Sequence, residues 1–295
     1  MIDVSLIIPT YNNERTIERT INSVIKQTYK NIEIIFIDNG STDDTLQLIS
    51  KYKREYNNIE LYRTSNGRSI ARNRGLKEAK GKYIKFLDAD DELGHNNIEK
   101  SVKILQQNED LFAVATGVTL VNDLDKTKTM KNVEFLYGSL SLLGSNPFRI
   151  NGVTFRRTKD IIPFKEGLES CEDWLFWYEN FKNKKVKILR NDFSAIVHIT
   201  GKNSSKDLDN LLVHQVYVRS LIRNNDRRTN LKLRFHDLKL ITQYELLDNK
   251  FLQENVEKSF GYSTFLARIL LWTPLKAVLK KKLQLKQEKN IYETS

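Results

Sequence analysis

Four short apolar runs rich in β-branched residues, at positions 4–8, 32–37, 59–62 and 83–87, are separated by stretches of a different period. Between the first two runs, Ile17, Ile21, Val24 and Ile25 recur at i, i+4, i+7 and i+8, the spacing of one buried helix face. Residues 69–79, followed by Gly81, read as another helix with a glycine stop. Strand and helix in alternation leave few architectures open. The fold class is α/β, a mostly parallel sheet covered by helices.

Beyond about residue 111 the pattern changes. Runs at 113–120, 150–156 and 186–189 read as strands around one strong helix after Ser170, and from Ser205 onward the chain reads as helical only. Leu211, Leu212, Gln215, Tyr217, Leu221 and Ile222 begin one helix, and residues 231–247 supply a second. The polar linker Gly201-Lys202-Asn203-Ser204 places the boundary, giving a domain over 1–200 and a helical region over 205–295. That region is basic: residues 219–295 hold 16 Lys/Arg against 8 Asp/Glu, so +8 of the net charge of +11. Such a bias points to a phosphate-bearing substrate, a membrane surface or a nucleic acid. Cys171 is the single cysteine, which excludes an internal disulfide and a zinc site built on thiolates. Met1-Ile2-Asp3-Val4 runs straight into a strand, so no secretory leader is expected.

In an open α/β sheet, ligands bind outside the carboxyl ends of the strands. Three polar clusters follow such ends: Pro9-Thr10-Tyr11-Asn12-Asn13, Asp38-Asn39-Gly40-Ser41-Thr42-Asp43 and Asp88-Ala89-Asp90-Asp91. The oxygen-only pair Asp88 and Asp90 suits magnesium or manganese holding phosphate oxygens. No glycine-rich cradle follows the first strand, which argues against a dinucleotide site and a Walker site. Phosphates then fall to a metal and to side chains, with Arg68, Arg72 and Arg74 available. A second cluster is Ser170-Cys171-Glu172-Asp173-Trp174, behind which Trp174, Trp177, Tyr178 and Phe181 fall on one helix face. With Ser170 as N-cap, Glu172 and Asp173 lie in the first turn, where the helix dipole favours ionised carboxylates. A carboxylate mounted this rigidly can act as general base for a hydroxyl.

Taken together, the chain resembles a family 2 glycosyltransferase, an inverting class with the A-type nucleotide-sugar fold. The matching elements are Val4-Ser5-Leu6-Ile7-Ile8-Pro9-Thr10-Tyr11-Asn12, Asp38 to Asp43, Ala71-Arg72-Asn73-Arg74-Gly75, Phe86 to Asp91 and Glu172-Asp173-Trp174, in family order and spacing over about residues 3–200. The resemblance implies a nucleotide-sugar half over about 1–110 and an acceptor half over about 111–200. It implies that Pro9, Thr10 and Tyr11 flank a uracil base, and that Asp88 and Ala89 contact the donor on its ribose or metal side. Asp90 would bind manganese or magnesium, and His198 sits where some relatives place a further ligand. Asp173 would be the catalytic base, Glu172 would support a sugar, and Asn66 and Arg72 would lie near the donor. One departure stands at Asn39, where the family commonly has a second acid. Its amide can both accept from the uracil imide and donate to a carbonyl.

The expected reaction is an inverting transfer of a hexosyl or N-acetylhexosaminyl group from a UDP-linked donor to a glycan hydroxyl. Relatives that build capsules or cell-wall polymers use lipid-linked acceptors on the cytoplasmic leaflet, so a cytoplasmic, peripheral enzyme is expected and no nucleic-acid partner. Near the C-terminus, residues 265–279 form a dense apolar stretch before Lys280-Lys281-Lys282. It is shorter than the roughly 20 apolar residues of a membrane span, and it suits either an anionic bilayer interface or packing on the catalytic domain or in an oligomer interface. The competing readings are a nucleotidyltransferase and a membrane- or polyanion-binding module on a degenerate transferase fold.

Overall fold

The computed structural model describes residues 2–65, 67–133, 140–200, 208–222, 237 and 250–255. The chain divides into two compact units, Met1–Ser204 and Ser205–Ser295. In the first, strands β1 (Val4–Thr10), β2 (Ile32–Asp38), β3 (Ile59–Arg63) and β4 (Tyr83–Phe86) alternate with helices α1 (Ile17–Ile25), α2 (Thr45–Glu55) and α3 (Arg68–Glu78). After β4 come β5 (Glu92–Leu93), α4 (Asn97–Gln107), β6 (Ala113–Thr116), β7 (Val118–Asn122), β8 (Lys128–Lys131), α5 (Leu140–Gly144), β9 (Val153–Arg156), α6 (Glu172–Phe181), β10 (Val186–Leu189) and β11 (Ala195–Ile199).

The main sheet has seven strands in the order β10-β6-β9-β4-β1-β2-β3. Only β9 runs against its neighbours, antiparallel to both β4 and β6. Strands β1 and β2 are almost wholly buried, as parallel strands covered on both faces must be. The chain moves outward from β1 through β2 to β3 and then returns to β4 on the other side of β1. That reversal opens a crevice at the carboxyl ends of β1 and β4. Gly75 lets α3 sit directly on this part of the sheet: a Cβ there would lie 2.3 Å from Ile7 Cγ2.

A second sheet of four strands, β5-β11-β7-β8, corrects the single strand expected over 113–120. The run breaks at Gly117, so β6 belongs to the first sheet and β7 to the second. At the break the chain passes so close to its neighbours that a Cβ on Gly117 would meet the Lys131 carbonyl at 2.6 Å and Phe193 at 2.9 Å. Residues 150–156 differ similarly, opening with a 3-10 turn (Ile150–Gly152) before β9. Helix α6 presents Trp174, Trp177, Tyr178 and Phe181 to a buried aromatic cluster. Phe164 stacks on Phe176 at 4.0 Å between centroids, and Phe155 meets Trp177 and Phe181 edge-on.

In the second unit, α7 (Leu208–Leu221) buries an Arg219–Asp237 ion pair, and a short helix spans Lys250–Asn255. Most of the expected helix over 231–247 and the whole apolar and lysine-rich stretch after residue 264 lie outside the described residues. No described helix is long and apolar enough to cross a membrane.

Replacing Gly75 by valine should cost about 1–3 kcal/mol through overpacking against Ile7, read as a lower midpoint in urea denaturation. An unchanged midpoint would mean that α3 can lift from the sheet without cost.

Candidate active site

Two loops at the end of the sheet are tied together before any ligand is considered. Asn39 N–H donates to the Thr10 carbonyl at 2.8 Å, and Asn12 N–H to Ser41 Oγ at 3.0 Å. Asn12 Oδ1 accepts from Thr42 N–H at 2.9 Å, and Thr45 Oγ1 accepts from Asn13 N–H at 2.7 Å. Asp38, fully buried, accepts from the Gly40 and Ser41 amides, so it shapes the turn. Thr10 is buried and Tyr11 is 48% exposed, which leaves the ring of Tyr11 free to cover a planar group. Asn39 Oδ1 accepts from Gly67 N–H at 2.7 Å. Part of the acceptor capacity expected of Asn39 is therefore committed within the protein, leaving its amide donors as the available group. Asn66 lies outside the described residues.

The Asp88-Ala89-Asp90-Asp91 loop is held from below by α1. Thr20 Oγ1 lies 2.9 Å from the Ala89 carbonyl and 2.8 Å from the Asp91 carbonyl. Thr16 Oγ1 adds a bond to Ala89, and Arg19 Nη2 donates to the Asp90 carbonyl at 2.7 Å. Asp91 is buried and accepts from Asn151 Nδ2 at 2.6 Å and from His198 N–H at 2.8 Å. Burial, with the charges of Asp90 and Asp88, pushes its carboxyl well above the ordinary range. Asp90 is raised for the same reasons, burial first and then Asp88.

Arg72, 2% exposed, joins this loop to α6. Its Nη1 donates to Glu172 Oε1 at 2.6 Å and its Nη2 to Asp88 Oδ1 at 3.0 Å. Its guanidinium carbon stands 5.4 Å from the centroid of the Phe164 ring. Burial alone would depress the guanidinium, but Asp88, Glu172 and Asp173 hold it above its ordinary value. Glu172 also accepts from Arg68 at 3.5 Å. Its Oε1 is thus shared by two arginines and helps to fix Arg72.

Asp173 projects from the first turn of α6. The residue preceding that helix is Cys171, at φ 62°, and not Ser170 as expected. Asp173 Oδ1 accepts from Trp174 N–H at 2.8 Å, and Oδ2 accepts from Asn146 Nδ2 at 2.7 Å. Burial, followed by the charge of Glu172, lifts its carboxyl to about 6, against the opposing pull of Arg72.

His198 does not join this set. Its Nδ1 lies 2.8 Å from Asp123 Oδ1 and its Nε2 lies 2.7 Å from Glu92 Oε1, so both ring nitrogens are engaged by carboxylates of the protein, and its backbone N–H is the group that reaches Asp91. Among the described residues no group of three or more acids, histidines or cysteines converges as a metal cage.

Three contributors escaped the sequence reading: Thr20 and Arg19, which look like ordinary positions on an amphipathic helix, and Asn146. The Asn-Pro turn marks Asn146 as a loop residue, but nothing in the spacing says that it meets Asp173.

The family model described as Glycosyl transferase family 2 matches residues 5–165, more than half of the chain. The chain belongs to glycosyltransferase family 2. It is 31% identical over 257 residues to the poly(ribitol-phosphate) beta-N-acetylglucosaminyltransferase TarP of Staphylococcus aureus, covering 78% of this chain and 77% of TarP. It is 30% identical over 254 residues to an uncharacterized glycosyltransferase of Rickettsia felis, covering 84% of this chain but 42% of that relative. The chain thus spans less than half the length of the Rickettsia protein. The crystal structure of S. aureus TarS 1–349 in complex with UDP-GlcNAc superposes with a TM-score of 0.63 at 20% identity, covering 90% of this chain and 79% of that one. This family 2 chain and TarS therefore share a fold.

Arg72→Ala should lower stability by about 3–5 kcal/mol, because it leaves the buried Glu172 without its closest counter-charge. A urea midpoint close to wild type would show that Arg72 is not what holds α6 to the Asp88 loop.

Proposed function

We propose that the protein is an inverting glycosyltransferase that moves a sugar from a UDP-linked donor onto a hydroxyl of a glycan acceptor in cell-surface polymer synthesis. The observation that carries this reading is Asp173: a carboxylate fixed on both oxygens, on a helix end that Arg72 links to Asp88, with its proton affinity placed near neutrality. A general base works best when its pKa lies near the working pH. The shared fold with a UDP-GlcNAc complex and the likeness to an N-acetylglucosaminyltransferase support the donor class.

Asp173 takes the proton of the acceptor hydroxyl as that oxygen attacks the anomeric carbon. The diphosphate leaves from the opposite face, so the configuration inverts. Asn146 keeps the receiving oxygen of Asp173 aimed. Arg72, already paired on two sides, sets the position of α6 relative to the Asp88 loop. The exposed ring of Tyr11 and the amide of Asn39 orient the base.

The donor set fits manganese or magnesium. Asp88 and Asp90 offer only hard oxygen ligands, and Asp90 is half-buried beside the Asp88 charge, an arrangement that a divalent cation relieves. Asp90, with Asp88, would hold it, and its charge would stabilise the departing diphosphate. A site of one or two carboxylates leaves the remaining positions to substrate oxygens and water.

Three outcomes test the reading. Asp173→Asn should reduce transfer by on the order of 100-fold or more while the affinity for UDP, measured by calorimetry, stays within a factor of about two. Near-normal turnover would remove Asp173 from the chemistry. The kcat/KM profile should rise with pH through about 6 as Asp173 loses its proton. Asn146→Ala removes a donor that favours the ionised form, so it should shift that limb to higher pH. A shift to lower pH would contradict the assignment. Finally, a chelator should abolish release of UDP from the donor, manganese or magnesium should restore it, and Asp90→Ala should not be restored. Full turnover in excess chelator would refute the metal.

A further inference from the structure

A cleft of about 210 Å³ is lined in part by Asn146, which also holds Asp173, and by Thr116, Gly117 and Val118, where the chain passes from one sheet to the other. It is lined by Thr116, Lys131, Asn132, Ser145, Asn146 and Arg149 among others, with two cations and no acid among the described residues. Lys131 ends β8 and Arg149 precedes the 3-10 turn into β9; both side chains are exposed. Among the described residues neither has a carboxylate within ion-pairing distance, unlike Lys100, Lys185 and Arg72 elsewhere in the unit. The volume is below the roughly 300–1,000 Å³ of sites that enclose a drug-sized ligand. It is therefore too small for a nucleotide sugar and suited to one charged group with its flanking atoms. Two cations that meet no carboxylate among the described residues, beside amide and hydroxyl donors, match a phosphate, which accepts on several oxygens and takes the arginine fork bidentately.

Among the described residues the polar link from this cleft to the chemistry is Asn146, whose Nδ2 holds Asp173 and whose Oδ1 accepts from Phe148 N–H at 3.2 Å. A group seated in the cleft is thus separated from Asp173 by the one side chain of Asn146. The donor elements, Tyr11, Asn39 and the Asp88 loop, contribute nothing to its lining. We propose that this cleft is an acceptor subsite for phosphate: it binds a phosphate ester adjacent to the nucleophilic hydroxyl and so selects phosphate-bearing acceptors over neutral ones. The assignment rests on the transferase reading, in which Asp173 faces the acceptor, but the binding it claims can be measured without turnover.

Inorganic phosphate is titrated into the full chain saturated with UDP and a divalent cation, following the backbone amides of Gly117 and Asn146 by NMR. Saturable shifts are expected at both, weakened at least tenfold in the Lys131→Gln/Arg149→Gln double variant. In Lys128→Gln, whose exposed cation lies on the same strand outside the cleft, the binding is retained. A short polyol-phosphate oligomer should compete for the site, and the dephosphorylated polyol should not. Absence of shifts, shifts that the double variant does not weaken, or loss of phosphate binding on adding UDP would each overturn the proposal, the last by assigning the anion to the donor site. Hydrolysis of UDP-sugars in the same wild-type samples reports separately on the transferase reading. Hydrolysis without phosphate binding defeats the subsite alone, and phosphate binding without hydrolysis of any UDP-sugar defeats the transferase reading alone.

Discussion

A guanidinium buried between two carboxylates governs the geometry of this site. Arg72 reaches Asp88 at 3.0 Å on one side and Glu172 at 2.6 Å on the other, and those acids, 84 residues apart in sequence, come from the loop after β4 and from α6. A buried arginine costs several kcal/mol in lost hydration unless it is paired in good geometry. Both acids must therefore be in place for the helix α3 to pack. The helix in turn reaches the sheet only because Gly75 has no side chain against Ile7. Packing and electrostatics enforce one arrangement: α3 down on β1, Asp88 at the crevice, and α6 delivering Asp173 beside them.

The same arrangement separates the duties of the acids. Asp38 and Asp91 are fully enclosed and serve backbone amides or Asn151, so they shape loops. Glu172 is spent on arginines. Asp88, Asp90 and Asp173 are each partly exposed, and their environments differ in kind: the Asp88 side chain is 39% exposed and paired with Arg72, Asp90 is raised by burial next to Asp88, and burial and Glu172 lift Asp173 to about 6 against the pull of Arg72. Neighbouring carboxylates thus acquire different proton affinities from their surroundings, as acid–base chemistry requires.

The sequence displays the donor half clearly, because buried parallel strands are continuous apolar runs and the loops that follow them are dense in Asp, Asn and Pro. The aromatic face of α6 is equally plain, since Trp174, Trp177, Tyr178 and Phe181 obey the helical period. The second sheet is nearly invisible: β5 has two residues, and β8 is four residues all exposed, so neither has an alternating pattern to detect. The partners of His198 are equally hidden: nothing local in the sequence places Asp123 and Glu92 at its two ring nitrogens. Asn146 and Thr20 matter through tertiary contacts 27 and about 70 residues away, and local spacing carries no trace of those.

Gly117 has a consequence for how the first unit comes apart. Because a single glycine joins β6 to β7, one uninterrupted stretch of backbone serves both sheets, with no loop between them to absorb relative movement. Strand β7 cannot leave its partners without pulling on β6, and β6 is hydrogen-bonded to β9 and β10. The two sheets therefore lose their amide protection in one cooperative opening, in contrast to the piecewise fraying of elements joined by slack connections.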